Sequence, residues 1–534
     1  MKYPIGIQSF ETLRQGGYVY VDKTDLIYKL AEGHVYFLAR PRRFGKSLLV
    51  STLKAYFEGR KDLFEGLKMM ELEHEWTKYP VLTFDFNGLI DKDKNPLRSY
   101  LFSQVEAAER KYDITPEHTD DLGLRFRRLL PAIHEKTGQK VVVLVDEYDK
   151  PLLDLVETGN PDDEKLLAYN RELLKGFFSI FKATDDHLRF VLLTGITKFS
   201  QVSMFSGFNQ PDDISLDKRF DTLLGITEEE LYTIFEDPIS EMAEELGTSV
   251  EDVKEQLKHR YDGYHFSKRM KDVYNPFSII NAFSKLDMKD YWFASGTPSY
   301  MIRLLSKCQE DVMTFTGRYY DERTFVDYKA DTEMPLPMFF QSGYLTIKDV
   351  DRRFNTYLLD YPNNEVKQGM VTLLANNYLQ SKQDTPSWVN EMIYALEDAN
   401  LDQVRRLFTS FLAETPYSMC PKKDQKAREL YFHYTFYLLM RLISCYTIYT
   451  EKQLSEGRAD CIVETGGYVF IFEFKLDGTA DEALQQIHDR GYAKAYEAST
   501  APIYIRCKLL QQDGHHRGLE NDRTFKSINI EKKK

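Results

Sequence analysis

The fold of the N-terminal half follows from one segment, Val35-Tyr36-Phe37-Leu38-Ala39-Arg40-Pro41-Arg42-Arg43-Phe44-Gly45-Lys46-Ser47-Leu48-Leu49-Val50. Its first five residues are apolar or aromatic and predict a buried strand, and the apolar residues from Leu48 onward predict a helix. Gly45, Lys46 and Ser47 lie at the junction of the two. This order predicts the end of a phosphate-binding loop (P-loop).

The complete P-loop pattern has a first Gly five residues before the second, and Arg40 occupies that position here. Lys46 is expected to reach the β- and γ-phosphates of a nucleotide, and Ser47 is expected to bind Mg²⁺. The residues expected to contact the nucleotide from the loop are Arg43, Phe44, Gly45, Lys46 and Ser47. The alternative is a basic loop in which Ser47 only caps the helix.

A second motif supports a nucleotide site. Residues 140–149 read Lys-Val-Val-Val-Leu-Val-Asp-Glu-Tyr-Asp, a β-branched run typical of a buried parallel strand. The run ends in Asp146 and Glu147, which predicts a Walker B strand: Asp146 holds Mg²⁺ and Glu147 polarises the attacking water. Thr194 ends the apolar part of another predicted strand, at a position that resembles that of the γ-phosphate-sensing residue of AAA-like ATPases. The alternative is an ordinary threonine exposed at the end of a strand.

Two further strands are predicted at 80–87 and 189–197, on either side of the Walker B strand in sequence. Four strands that alternate with helical segments predict an α/β fold with a parallel sheet. Thr227 and Glu230 form a capping-box pattern that opens a helical region, which resembles the lid of AAA-like ATPases. Residues 335–379 resemble a winged-helix-type module without a basic helix, so a spacer or protein-contact role is favoured over DNA binding.

Near the C-terminus, residues 457–475 predict two strands joined at a Gly-Gly turn. Antiparallel pairing through that turn brings Asp460 opposite the neighbourhood of Glu473, and Lys475 shares a strand face with Glu473. Two carboxylates and a lysine at one place could hold a divalent metal and a metal-bound water. The alternative is a sheet edge with a solvated Glu/Lys pair.

The spacing of an Asp on one strand and Glu-x-Lys on the next resembles the PD-(D/E)XK nuclease superfamily. The resemblance implies that Asp460 and Glu473 bind the metal and that Lys475 orients the nucleophile or stabilises the transition state. Four further residues resemble elements that support this site in such nucleases: Glu429, His433, Gln486 and Tyr492.

Nearly the whole chain resembles a bacterial AAA-ATPase-like family fused to a C-terminal PD-(D/E)XK domain. The resemblance rests on Tyr3-Pro4-Ile5-Gly6, Gly45-Lys46-Ser47, Tyr261-Asp262-Gly263-Tyr264 and Tyr274-Asn275-Pro276-Phe277. In that family an Arg often replaces the first P-loop Gly. The family usually continues into a further apolar strand after Ile505, whereas residues 508–517 are mostly polar here, so the last strand is expected to be altered or missing.

The resemblance implies an α/β multidomain protein with four parts. These are a P-loop AAA-like core (1–224), a helical lid (225–330), a winged-helix-like and helical connector (331–418) and a restriction-endonuclease-like α/β domain (419–534). The implied function is an ATPase module that controls a Mg²⁺-dependent endo- or exonuclease, with DNA as the expected substrate and Mn²⁺ as an alternative metal. A homo-oligomer is compatible with this architecture. The alternative is an ATP-driven switch or scaffold that binds nucleic acid or a partner without cutting.

Composition and charge limit the kind of nucleic-acid site and the compartment that are expected. The formal charge of -13 argues against a surface that coats nucleic acid non-specifically, so a nucleic-acid site is expected to be local. The five cysteines form no Cys-x-x-Cys pair, and the first 13 residues lack the apolar core of a signal peptide. These features predict a cytoplasmic protein with reduced thiols and no membrane segment.

Overall fold

The computed structural model describes residues 1–89, 95–116, 120–156, 158–198, 211–295, 301, 315–326, 335–379, 385–414, 447–454, 457–465, 468–475, 489–490, 503–509 and 530–533. The chain separates into two compact units, Met1–Lys367 and Gln368–Lys534, called here the N-terminal and C-terminal units. Within the described ranges, no helix is both long enough and apolar enough to cross a bilayer.

A five-stranded parallel sheet organises the N-terminal unit. Its strands are β1 (Val35–Ala39), β2 (Val81–Asp85), β3 (Val141–Asp146), β4 (Leu188–Gly195) and β5 (Asp212–Asp213). They are arranged in the order β2-β3-β4-β1-β5, and every pairing is parallel. The parallel α/β sheet predicted from the sequence is therefore confirmed, and β4 lies between β1 and β3.

The described residues of the same part of the chain form eight helices. They are α1 (Phe10–Gln15), α2 (Thr24–Ala31), α3 (Lys46–Phe57), α4 (Met69–Leu72), α5 (Pro96–Lys111), α6 (Leu122–Thr137), α7 (Lys150–Leu153) and α8 (Pro161–Ala183), with 3₁₀ turns at Lys61–Phe64 and Asp185–His187. All six residues of β3 are buried. Phe126 of α6 stacks on Phe177 of α8 with ring centroids 4.4 Å apart, which joins two helices of this core.

A helical region follows the sheet. Its helices are α9 (Glu228–Ile234), α10 (Glu236–Leu246), α11 (Val250–Tyr261), α12 (Pro276–Lys285) and α13 (Tyr291–Ala294). The predicted capping box is present, because the Thr227 side chain accepts from the Glu230 N–H and Glu230 Oε2 accepts from the Thr227 N–H at 2.8 Å. Glu230 Oε2 also pairs with Lys23 Nζ at 2.6 Å, which ties the helical region to the start of α2.

A three-stranded antiparallel module completes the N-terminal unit. It contains β6 (Arg318–Asp321), α14 (Glu322–Val326), α15 (Leu336–Gln341), β7 (Thr346–Asp351) and β8 (Thr356–Asp360), with the strand order β6-β8-β7. These five elements are called here the middle module. The predicted winged-helix-type module, residues 335–379, contains α15, β7, β8 and the helix Asn364–Leu379, and its winged-helix character stays a prediction. The first strand of the middle module comes from residues before 331.

The second helix of the middle module is buried. Leu336 and Met338 of α15 are each 0% exposed, and Gln341 Oε1 accepts a hydrogen bond from the Lys198 N–H at 2.7 Å. In helix-turn-helix proteins the second helix enters the DNA groove. α15 packs inside its own unit, and the spacer or protein-contact role stays a prediction.

The C-terminal unit contains helices and a five-stranded mixed sheet. Its elements are α16 (Asn364–Leu379, which begins in the N-terminal unit), α17 (Thr385–Glu397), α18 (Leu401–Glu414), β9 (Thr447–Leu454), β10 (Gly457–Glu464), β11 (Val469–Lys475), β12 (Ile503–Leu509) and β13 (Ile530–Lys533). The strand order is β13-β12-β11-β10-β9, with β11 and β12 parallel and the other pairs antiparallel.

The last strand is present rather than missing, and it is altered from the expected apolar strand, because Ile530–Lys533 reads Ile-Glu-Lys-Lys. β12 extends past Ile505 to Leu509, and β13 pairs with it at the edge of the sheet. β13 is the edge strand, and an edge strand tolerates charged residues because one of its sides has no neighbouring strand. The polar segment after Ile505 therefore does not prevent the sheet from reaching five strands.

Candidate functional site

The loop between β1 and α3 has the backbone of a phosphate-binding turn. Gly45 adopts a left-handed conformation with φ of 94°, and a Cβ at this position would meet nothing within 4 Å. It caps the N-terminus of α3, a helix of 12 residues. A helix N-terminus preceded by such a turn offers backbone N–H groups to an anion. Arg43 in the same loop is exposed and also has a positive φ, 65°.

The P-loop lysine lies beneath its own loop. Lys46 is 4% exposed, and its Nζ donates to the carbonyl oxygens of Arg40 at 3.0 Å and Pro41 at 3.1 Å. Burial lowers the pKa of Lys46, whereas the nearby carboxylates of Glu147 and Asp146 raise it. To reach a phosphate, the ammonium has to exchange these two carbonyl oxygens for phosphate oxygens. Ser47 follows at the start of α3 and is half-buried.

Three of the predicted residues meet at the carboxyl ends of β3 and β4. Thr194 Oγ1 donates to Asp146 Oδ1 at 2.7 Å, and the Glu147 N–H donates to the same oxygen at 3.0 Å. Glu147 has a φ of 51°, and its burial raises the pKa of its carboxyl. Lys46 is close enough to Glu147 and Asp146 for their charges to affect its pKa. The P-loop and Walker B residues therefore share one site.

The residues present fit a nucleotide with Mg²⁺. A left-handed glycine precedes α3, and a lysine follows it. A buried carboxylate with a hydroxyl partner lies at the end of β3, which is separated from β1 by β4. Carboxylate and hydroxyl oxygens are the hard ligands that Mg²⁺ prefers.

Two other P-loop side chains serve packing in this structure. Phe44 is 1% exposed and contacts the rings of Tyr264 and Phe266 edge-on, with centroids 4.9 Å and 5.4 Å away. The Arg43 guanidinium carbon lies 5.0 Å from the ring centroid of Phe277. Both loop residues thus contact the region that follows the sheet.

In the C-terminal unit, the backbone places the predicted nuclease residues next to one another. Cys461 of β10 is the partner of Phe472 of β11, so Asp460 and Glu473 are the next positions on these neighbouring strands. Glu473 and Lys475 pair with residues of β12 and, being two apart, lie on one face of β11. The predicted hairpin pairing is confirmed for the backbone, and the metal-binding and catalytic roles stay predictions.

Four predicted supporting residues, Glu429, His433, Gln486 and Tyr492, lie outside the described residues. Their contribution to the nuclease site stays a prediction.

Comparison with family models matches residues 4–205 to a predicted AAA-ATPase and residues 427–518 to the PD-(D/E)XK nuclease superfamily. The vnfD 5'-region protein of Azotobacter chroococcum mcd 1 is 34% identical over 511 residues, which cover 94% of this chain and 95% of that protein. This chain belongs to the family of predicted AAA-ATPases with a C-terminal PD-(D/E)XK nuclease superfamily domain.

Two solved structures are also similar to this AAA-ATPase-like protein. The Aeropyrum pernix ORC2 protein is 13% identical, with a TM-score of 0.23, over 69% of this chain and 92% of its own. Cdc6p from Pyrobaculum aerophilum is 10% identical, with the same TM-score of 0.23, over 66% of this chain and 91% of its own. These values are too low to support conclusions about the family's function.

One buried carboxylate of the AAA-ATPase-like domain has no role in the sequence prediction. Asp149 is 1% exposed, and its Oδ2 accepts from the Thr197 N–H at 2.6 Å, from Thr197 Oγ1 at 2.7 Å and from the Ile196 N–H at 3.0 Å. Burial raises the pKa of Asp149, although these hydrogen bonds lower it. Asp149 therefore fastens the end of β4 to the loop after β3. The signal available in the sequence is a further Asp three residues after Asp146, followed later by Gly195-Ile196-Thr197.

A tryptophan and a glutamate also support the P-loop. Trp292 Nε1 donates to the Arg42 carbonyl oxygen at 3.1 Å, and the Arg42 guanidinium carbon lies 5.2 Å from the Trp292 ring centroid. The Trp292 N–H donates to Glu365 Oε1 at 2.6 Å, and Glu365 Oε2 accepts from Ser278 Oγ at 2.8 Å. Burial raises the pKa of Glu365 to about 7. Glu365 thus holds the residue that covers Arg42.

We expect Gly195→Ala to destabilise the N-terminal unit by about 2 kcal/mol, the cost of overpacking a tight interior. A Cβ at Gly195 would lie 2.5 Å from Asp149 Oδ1 and 2.7 Å from Tyr148 Cδ1, and both residues are fully buried. Urea unfolding measures the change. The matched control is Gly176→Ala in α8, where a Cβ meets nothing within 4 Å and an alanine favours the helix. Equal stability of the two variants would contradict the tight contact between Gly195 and Asp149.

We expect Glu365→Gln to be more stable than the wild type, with a difference in the free energy of unfolding that grows as pH rises. The pKa of Glu365 is raised from 4.5 to about 7, so the unfolded chain loses this proton first and the wild type loses stability between these pH values. Glutamine carries no such proton, and the advantage should reach ~3 kcal/mol above pH 7 and vanish below pH 4.5. Urea unfolding at a series of pH values tests this, with exposed Glu245→Gln as the control. A pH-independent difference would contradict it.

Proposed function

We propose that this protein binds and hydrolyses ATP in its N-terminal unit and cleaves DNA with its C-terminal domain, and that the ATPase controls the nuclease. The observation that supports the nucleotide site is the position of β4 between β1 and β3. This position brings Thr194 into hydrogen-bond contact with Asp146. The family supplies the combination of an AAA-ATPase-like domain and a nuclease-superfamily domain.

In the ATPase step, Lys46 binds phosphate oxygens, and Ser47 and Asp146 hold the metal. When bound, Mg²⁺ would supply positive charge that offsets the charge of the phosphates. Glu147 orients a water and accepts its proton; the raised pKa of this carboxyl brings it nearer to that of a general base at neutral pH. Thr194 senses the γ-phosphate through its hydrogen bond to Asp146. The loop residues Arg43, Phe44 and Gly45 complete the site.

In the nuclease step, Asp460 and Glu473 would hold Mg²⁺ or Mn²⁺, which would supply a Lewis acid and an activated water. Lys475 orients the attacking water or stabilises the charge that develops on the scissile phosphate. The register between β10 and β11 supports this assignment, because it places Asp460 and Glu473 at neighbouring positions. A local site of this kind is compatible with the chain's charge of -13.

The second candidate is an ATP-driven switch whose nuclease-like domain binds nucleic acid or a partner without cutting. The observation in its favour is the contact between the end of β4 and the middle module, where the Lys198 N–H donates to Gln341 Oε1 at 2.7 Å. Thr194 lies four residues before Lys198. A nucleotide that shifts Thr194 could therefore move the middle module whether or not DNA is cut.

Two substitutions separate the proposed activities. Lys46→Ala should abolish ATP binding, so that ATP at about 100 times its Kd no longer gives the ~2.7 kcal/mol of stabilisation expected for the wild type. Asp460→Ala should abolish cleavage of plasmid, linear duplex or single strands with Mg²⁺ or Mn²⁺ and leave ATP hydrolysis intact. Thermal unfolding, phosphate release and gel electrophoresis are the measurements.

The controls are Lys54→Ala, an exposed lysine on α3, and Glu464→Ala on β10. Full cleavage by Asp460→Ala would show that the assigned nuclease site is wrong. A wild type that hydrolyses ATP but cuts none of the three substrates supports the switch instead.

A further inference from the structure

Arg40 replaces the first Gly of the P-loop pattern, yet its side chain is buried rather than displaced into solvent. Arg40 is 1% exposed and is among the largest fully buried side chains in the described part of the chain. A guanidinium is always a donor and loses its water on burial, so it needs carbonyl or carboxylate acceptors nearby. The contacts it makes therefore indicate what the substitution does.

The Arg40 guanidinium joins the P-loop to the segment after β5. Its Nη1 donates to the carbonyl oxygens of Ala39 at 3.0 Å and Ser215 at 2.5 Å, and its Nη2 donates to the Phe220 carbonyl oxygen at 3.3 Å. Burial lowers the pKa of Arg40 to about 9, although the carboxylates of Asp213 and Asp221 raise it. The side chain therefore remains positively charged at neutral pH.

The backbone of Arg40 makes two further connections. Its N–H donates to the Gly195 carbonyl oxygen at 3.1 Å, which links the ends of β1 and β4. Its carbonyl oxygen accepts from Lys46 Nζ at 3.0 Å. The position of Arg40 thus sets the position of the lysine that is proposed to bind phosphate.

The guanidinium also packs against the segment Tyr264–Phe266, called here the clamp segment. Its carbon lies 4.1 Å from the ring centroid of Phe266, close enough for a cation–π interaction. Phe266 contacts the ring of Phe44 as well, at 5.4 Å between centroids. Phe266 therefore holds two positions of the P-loop at once.

The clamp segment is fastened to the middle module on its other side. The His265 N–H donates to Thr346 Oγ1 at 2.9 Å, and His265 Nδ1 lies 2.7 Å from the Ile347 carbonyl oxygen. Thr346 and Ile347 are the first residues of β7. A continuous set of short contacts thus runs from Lys46 through Arg40 and Phe266 to the middle module.

We propose that Arg40 is a positioning residue for ATP: it anchors the P-loop to the Ser215–Phe220 segment and to the clamp segment, and so couples nucleotide affinity to the middle module. The proposal rests on the proposed binding of ATP at Lys46. It implies that glycine, the residue of the general pattern, is the wrong residue at position 40 of this protein.

The test measures the Kd of a fluorescent ATP analogue with Mg²⁺ for the full-length wild type and for Arg40→Gly, Arg40→Met and Arg40→Lys. Glycine and methionine should weaken binding by about tenfold or more. Lysine keeps the charge but lacks the planar set of donors, so its affinity should fall between that of methionine and that of the wild type. Wild-type affinity in Arg40→Gly would overturn the proposal.

The control for lost stability is Arg125→Met. Arg125 has a side chain that is 10% exposed and is paired with Glu109 at 2.6 Å, away from the P-loop. This variant should lower the melting temperature and leave the Kd unchanged. If Arg125→Met weakened binding as much as Arg40→Met, a general loss of stability would explain both results and the proposal would fail.

A double-mutant cycle tests the route through the clamp segment. Arg40→Met and Phe266→Leu should each raise the Kd. The double variant should raise it by less than the product of the two effects, because each substitution removes the same contact between Arg40 and Phe266. Independent, multiplicative effects would overturn the coupling. If circular dichroism shows that Arg40→Gly and Arg40→Met do not fold, the cycle is made with Arg40→Lys and Phe266→Leu. An effect on the Kd smaller than the product again supports the coupling, and a multiplicative effect overturns it.

The wild type separates this proposal from the one on which it rests. If the wild type itself does not bind the analogue, the ATP site at Lys46 is wrong, and the positioning role falls with it. If the wild type binds and the Arg40 variants bind equally well, the ATP site stands and the positioning role alone is wrong.

Discussion

The hydrogen bonding of β4 between β1 and β3 is the constraint on which the N-terminal unit depends. Val191 in β4 is the partner of Val35 on one side and of Val143 on the other, so all three strands are held in one register. Because parallel strands end at the same edge, this register brings the P-loop, the Walker B carboxylate and Thr194 together. The same edge carries Gly195, which has no side chain and so leaves room for Asp149.

Buried charge is the second property that unites the site. Arg40, Lys46, Asp146 and Asp149 are each no more than 5% exposed, and each is held by carbonyl oxygens, hydroxyl groups or backbone N–H groups. Burying a charge is costly unless its partners are well placed, so the surrounding backbone has little freedom. Charges in such surroundings interact more strongly than they do in water. An arriving phosphate would therefore affect all four groups.

The parts of the structure that the sequence predicts are those with a local pattern. The β-branched run before Asp146 predicts β3 to within a residue, and the Thr227–Glu230 spacing predicts its capping box. The hairpin register follows from the position of its turn. The Arg40 anchor, the Asp149 contacts and the Trp292–Glu365 bond join residues 175, 48 and 73 positions apart. Several of these bonds use backbone atoms, which any residue type provides, so no spacing in the sequence reveals them.

The burial of α15 has a consequence for how the protein can be divided. Gly343, just after this helix, lies so close to Pro41 that a Cβ would be 2.7 Å from the proline ring, and Lys198 and His265 are bonded to Gln341 and Thr346. A fragment ending at residue 330 would uncover one side of the P-loop and of the clamp segment. The compact unit that contains these contacts extends to Lys367. In physical terms, the middle module is part of the nucleotide-binding fold and not an attachment to it.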